Sequence, residues 1–122
     1  LIGGITIISS LVIKFRMPEQ IKTTKEYIGV VEVKLGLQMN KKIQIIDVRS
    51  KEEFEQGHIP NALNISLQDL EENLSKLDKN FQFVTACGKG GGRSADGARI
   101  LKEFGLNASW LCGGTNGWLG LD

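Results

Sequence analysis

The sequence predicts an α/β domain: a mainly parallel sheet with helices on both faces. Three observations predict it. Short apolar runs of strand length recur, as "IQIID" (Ile43–Asp47), "FQFVTA" (Phe81–Ala86) and "ASWLC" (Ala108–Cys112). Segments with helical spacing or helix-start signals stand between them. Strand and helix alternate, and parallel neighbours need a crossover of that kind. The 122 residues, 41% apolar and 24% charged, suit one domain with a single core.

The first segment, "LIGGITIISSLVI" (Leu1–Ile13), is uncharged and is followed by "KFR". It is shorter than the ~20 residues of a full membrane span. Two readings stand. It is the tail of a membrane helix, with Lys14 and Arg16 setting the domain on the cytoplasmic face, or it is a β-branched strand or hydrophobic arm. Residues 1–16 therefore form an apolar N-terminal segment and residues 17–122 the folded domain. Met17-Pro18-Glu19-Gln20 is the polar break between them, and the fold is expected to begin near Gln20.

Thr23 or Thr24 can cap a helix over Lys25–Gln38, with Tyr27, Val30, Val31, Lys34 and Leu35 near one face. Ile43–Asp47 reads as a buried strand. Ser50 and Glu53 have capping-box spacing for a short helix that stops at Gly57. Pro60-Asn61 turns the chain into a short strand, Leu63–Ile65. Ser66 and Asp69 repeat the cap-like start, for a helix to about Leu77. Phe81–Ala86 is a strand, Ser94–Phe104 a helix closed by Gly105, and "ASWLC" the last strand. "GGTNGW" ends the domain. Asp47, Cys87 and Cys112 all fall at strand ends, so all three are expected at the carboxyl edge of the sheet, where open α/β sheets place their functional crevice.

Between the last two strands stands "ACGKGGGRSADGARI" (Ala86–Ile100). A cysteine between a strand end and a helix start feels the positive end of the helix dipole. Lys89 and Arg93 act in the same sense, and together they favour the thiolate, which is the nucleophilic form. Gly88, Gly90, Gly91 and Gly92 free the backbone to curl and turn N–H groups inward. Such a nest binds an anion, and Arg93 can close on it bidentately, with Ser94 at its rim. The loop thus suits a small oxyanion or an anionic sulfur species attacked by Cys87. A phosphate-binding P-loop is absent, because no GxxxxGK followed by Ser or Thr occurs. A dinucleotide fingerprint fails where Ser94 replaces its third glycine.

The motifs "IIDVRSKEEFEQGHIPNALNI", "ACGKGGGRSADGA" and "LCGGTNGW" resemble, in order, those of the rhodanese homology domain. The resemblance covers about Gln20 to Leu121. It implies a five-stranded parallel sheet flanked by helices, with Cys87 as sulfur carrier. It also implies a sulfurtransferase of the thiosulfate type: Cys87 takes the outer sulfur of a donor, becomes a persulfide, and passes the sulfur to a thiol or cyanide-like acceptor. One departure stands out. Arg93 lies six positions after Cys87, giving Cys-x5-Arg where single-domain rhodaneses usually have a shorter loop. That spacing resembles rhodanese-fold phosphatases and arsenate reductases, although Ala86 stands where those enzymes usually carry His. The alternatives are an oxyanion phosphatase or reductase, and a non-catalytic sulfur-sensing or interaction module.

Asp47 is expected beside the loop, accepting bonds from its N–H groups. Arg49 is expected in a salt bridge to a carboxylate such as Glu53. His58 belongs to the turn before Pro60, bonded to backbone. Trp110 and Trp118 read as packing residues. Cys112 is either a small buried hydrophobe or a resolving thiol for Cys87. No cofactor or metal is called for, since a single His and two cysteines without a CxxC pair make no zinc set. A formal charge of +1 supports no nucleic-acid surface.

Overall fold

The computed structural model describes residues 26–121. Its elements are β1 (Tyr27–Gly29), α1 (Val30–Gln38), β2 (Ile43–Asp47), α2 (Lys51–Gln56), β3 (Leu63–Asn64), α3 (Leu70–Asn73), β4 (Gln82–Ala86), α4 (Gly92–Glu103), β5 (Asn107–Cys112) and α5 (Gly114–Leu119). Single 3-10 turns at Leu67–Asp69 and Leu74–Lys76 flank α3. The five strands make one sheet in the order β1-β5-β4-β2-β3, and every pairing is parallel.

Alternation along the strands builds two cores, one on each face. Ile46, Phe83 and Ala108 pack on one side with Leu70 and Leu74 of the α3 region and Ala98 and Leu101 of α4. Ile45, Val84 and Leu111 point the other way and pack with Val33 of α1, Ile59 and the half-buried Trp118 of α5. Burying a side chain such as Phe83 stabilises the fold by roughly 2 kcal/mol. Gly97 lets α4 lie close on the sheet: a Cβ there would stand 3.2 Å from Val48 Cγ1 and 3.4 Å from Thr85 Cγ2.

The first helix is shorter than its sequence pattern. Tyr27–Gly29 leaves it to pair with Trp110–Cys112 as an edge strand, and the helix is entered at Gly29. Thr23, Thr24 and the apolar Leu1–Ile13 lie outside the described residues. Among the described residues no helix is long and apolar enough to cross a membrane.

The helix expected from Ser66 to Leu77 is broken into α3 and its two 3-10 turns. Ser66 caps no backbone N–H; its hydroxyl donates to Asp69 Oδ2 at 3.1 Å instead. The capping box at Ser50 forms: Glu53 N donates to Ser50 Oγ at 3.2 Å and Ser50 N to Glu53 Oε1 at 3.2 Å. The closing "GGTNGW" is not an irregular end. Gly113 in the left-handed region turns the chain into α5.

Candidate active site

Parallel register brings the strand ends to one edge. Asp47 of β2 stands opposite Ala86 of β4, and Cys112 of β5 opposite Gly29 of β1. Cys87 is the first residue beyond β4, a central strand, and is buried. The chain then loops through Gly88–Gly91 into α4, whose N-cap is Gly91. Gly90, Gly91 and Gly92 have φ of 96°, 74° and 47°, the region that glycine alone enters freely. The sulfur therefore sits at the first turn of a twelve-residue helix, the electropositive end.

The thiol donates to the Gly91 carbonyl at 3.2 Å and lies 3.3 Å from Ser94 Oγ. That carbonyl also accepts from Ser94 N at 3.0 Å and Ser94 Oγ at 2.8 Å. The loop group bonded to the sulfur is thus an acceptor, where the sequence suggested inward N–H donors. Gly91 C=O is turned inward because it begins the α4 hydrogen-bond ladder. Ser94 is fully buried, and its own carbonyl accepts from Thr85 Oγ1 at 2.6 Å. Lys89 is exposed.

A second loop holds the first from outside. Thr115 N donates to Cys87 O at 2.8 Å and Asn116 N to Gly88 O at 2.9 Å. The backbones touch so closely that a Cβ on Gly114 would stand 2.6 Å from Gly88 O and 2.7 Å from both Cys87 O and Gly90 N. No local sequence signal marks Gly114, Thr115 or Asn116 as part of the site.

Two ion pairs flank the thiol: Arg49 meets a nearby carboxylate as expected, but that of Asp47 and not Glu53. Asp47 does not take up the loop N–H groups. Its buried carboxylate is filled by Arg49: N and Nε donate to Oδ1 at 3.0 and 2.9 Å, and Nη2 to Oδ2 at 2.7 Å. Arg49 Nη2 also donates to Gly57 O at 2.8 Å. Hydrogen bonding to Asp47 raises the Arg49 guanidinium above its ordinary value, against the effect of burial. Glu53, the suggested partner of Arg49, pairs with Arg93 instead. Arg93 Nη1 and Nη2 meet Glu53 Oε1 and Oε2 at 2.7 and 3.0 Å, a bidentate fork. The Arg93 fork first, then the Ser50 N–H and hydroxyl, lower the Glu53 carboxyl to about 2, against the cost of burial.

His58 Nδ1 lies 2.8 Å from Phe54 O, and its ring stacks on Phe54 at 3.8 Å, a turn residue as read. Trp110 packs against Tyr27 at 5.4 Å, and Lys34 Nζ stands 4.9 Å above Trp118. Cys112 is exposed, not a buried hydrophobe, and both cysteines are free thiols. Among the described residues no group of three or more His, Cys, Asp or Glu could hold a metal.

Fold and site together define an α/β protein organised around one buried thiol at the carboxyl edge of a parallel sheet. The family model "Rhodanese-like domain" matches residues 31–121, and the chain belongs to that family. It is 32% identical over 93 residues to "Putative sulfurtransferase YtwF" of Bacillus subtilis, covering 76% of this chain and 89% of that protein. It is 30% identical over 76 residues to "Thiosulfate sulfurtransferase GlpE" of Coxiella burnetii, covering 62% of this chain and 71% of that one. A rhodanese-like domain protein of Staphylococcus aureus superposes with a TM-score of 0.70 at 36% identity, covering 76% of this chain and 90% of the other.

Proposed function

We propose that this protein is a sulfurtransferase that moves sulfane sulfur from an anionic donor to a thiol or cyanide-like acceptor through a persulfide on Cys87. The observation that carries the reading is the position of Cys87 Sγ: buried at the first turn of α4, within reach of Ser94 Oγ, on a loop of three left-handed glycines. The sulfurtransferases among its relatives support it.

In the first half-reaction the Cys87 thiolate attacks the outer sulfur of the donor. A new S–S bond forms as the donor's own S–S bond breaks, and the leaving group departs with the bonding pair: sulfite from thiosulfate, a thiolate from a persulfide. In the second, the acceptor attacks the outer sulfur of Cys87–S–S⁻, and Cys87 leaves as the thiolate it began as. The Ser94 hydroxyl, which can rotate, turns its proton from Gly91 O toward the sulfur when that sulfur is charged. The α4 dipole favours the same form. Thiocyanate formation from cyanide and a sulfur donor tests the reading: the wild type should form it and Cys87→Ser should not. Equal rates in the two would remove Cys87 from the chemistry.

A further inference from the structure

Cys-x5-Arg is long enough to ring a tetrahedral dianion. Size alone therefore does not keep phosphate, arsenate or thiosulfate out. Charge does. A dianion at Cys87 needs a guanidinium to receive its oxygens, and both Nη atoms of Arg93 already hold Glu53. Glu53 is itself fixed. Its Oε1 accepts from Ser50 N at 3.2 Å and Ser50 Oγ at 3.1 Å, and its own N–H bonds back to Ser50 Oγ. Arg93 cannot swing to a ligand without leaving this carboxylate anchored and unpaired beside it. The neighbouring pair offers no substitute, because Arg49 is occupied by Asp47 and Gly57 O. The two guanidiniums and two carboxylates around the thiol cancel.

We propose that Glu53 is the positioning residue that sets donor selectivity at Cys87: by holding Arg93 it turns the loop away from tetrahedral dianions and toward low-charge persulfide donors. This rests on the sulfurtransferase reading above. The donor class is R–S–SH. The Cys87 thiolate bonds to its outer sulfur, the donor S–S bond breaks, and R–S⁻ leaves, the proton travelling with the transferred sulfur. Nothing in this step requires the three oxygens of thiosulfate to be held.

The variant that tests it is Glu53→Gln. Glutamine still satisfies a capping box, so the start of α2 is preserved while the charge on Arg93 is released. Two measurements are made on each protein: kcat/KM for sulfur loading from thiosulfate and from cysteine persulfide, and protection of Cys87 from iodoacetamide by inorganic phosphate. In Glu53→Gln the thiosulfate-to-persulfide ratio should rise about threefold to fivefold, and half-protection should need about threefold to fivefold less phosphate, the most that releasing a half-exposed ion pair supplies. Glu53→Ala should move both in the same direction, and Glu53→Asp, which restores a carboxylate, should return them toward the wild type. An unchanged ratio with unchanged protection, or a fall in either, overturns the proposal. The protection arm needs no sulfur chemistry. If neither donor loads Cys87 in any variant, the sulfurtransferase reading fails while phosphate protection still decides whether Glu53 governs Arg93.

Discussion

The backbone N–H of Thr115 donates to the carbonyl oxygen of Cys87 at 2.8 Å. This bond ties the Cys87 loop to α5. It exists because the chain at Gly113 and Gly114, with φ of 89° and 60°, turns back tightly enough to bring the start of α5 under the loop.

Gly114→Ala should therefore damage the site more than Gly91→Ala within the loop. Its Cβ would meet three backbone atoms at 2.6 to 2.7 Å, none of which can rotate away. A loss of about 2–3 kcal/mol in urea unfolding is expected, with sulfur transfer down at least tenfold. Gly91→Ala meets nothing within 4 Å, so only its φ of 74° is strained, and it should cost about 1 kcal/mol. Equal costs for the two would show that the contact with Gly114 does not hold the loop.

Breaking the buried pair should be costly from either side. Asp47 and Arg49 are 1% and 7% exposed. Asp47→Ala leaves a guanidinium buried with only Gly57 O, and a loss of about 3–5 kcal/mol is expected. Replacing both, as Asp47→Ala with Arg49→Met, should recover much of that loss, since no uncompensated charge remains. Thermal unfolding of the four proteins forms the cycle, and additive losses would mean the pair is not coupled.

The Glu53–Arg93 pair should show a pH signature of defined sign. The folded carboxyl is lowered from 4.5 to about 2. A depressed carboxyl contributes stability that is present above its unfolded value and lost as pH falls through its folded one. The stability gap between wild type and Glu53→Gln should thus be flat above pH 4.5 and close between 4.5 and about 2. Both side chains are near half-exposed, so the gap should stay under about 1 kcal/mol and shrink in high salt. A gap that widens on acidification would reverse the assignment.

Cys112→Ser should leave sulfur loading on Cys87 within about twofold. Cys112 is an exposed free thiol, and no bond links it to the loop among the described residues. It lies at the end of the strand beside β4, so a resolving role would appear as persulfide that builds up on Cys87 when Cys112 is removed. Rate measurements with a slow acceptor separate the two outcomes.

Much of the fold was legible because β2, β4 and β5 are apolar runs that are buried on both faces, and because Ser50–Glu53 is a local device within one turn. β1 was not. "YIGVVEV" has helical spacing, and the three-residue strand exists only through its pairing with Trp110–Cys112, some eighty residues on. α5 was missed because "GGTNGW" has turn composition, and its helix is held by bonds to Cys87 and Gly88 that no local pattern shows. Cys87, its glycines and Ser94 could be read from one stretch of chain. The Asp47–Arg49 pair has a local signal, since residues two apart in extended backbone share a side. Glu53 and Arg93 are forty positions apart, so their fork follows from the sheet order alone.

The most direct test of the account is intact-protein and peptide mass spectrometry after incubation with a sulfur donor. The prediction is a gain of about 32 Da, one sulfur, on the peptide containing Cys87. Cyanide should remove it as thiocyanate, and Cys87→Ser should not acquire it. A protein that gains no sulfur on Cys87 from thiosulfate or from cysteine persulfide, or that gains it equally after Cys87→Ser, would contradict the persulfide mechanism.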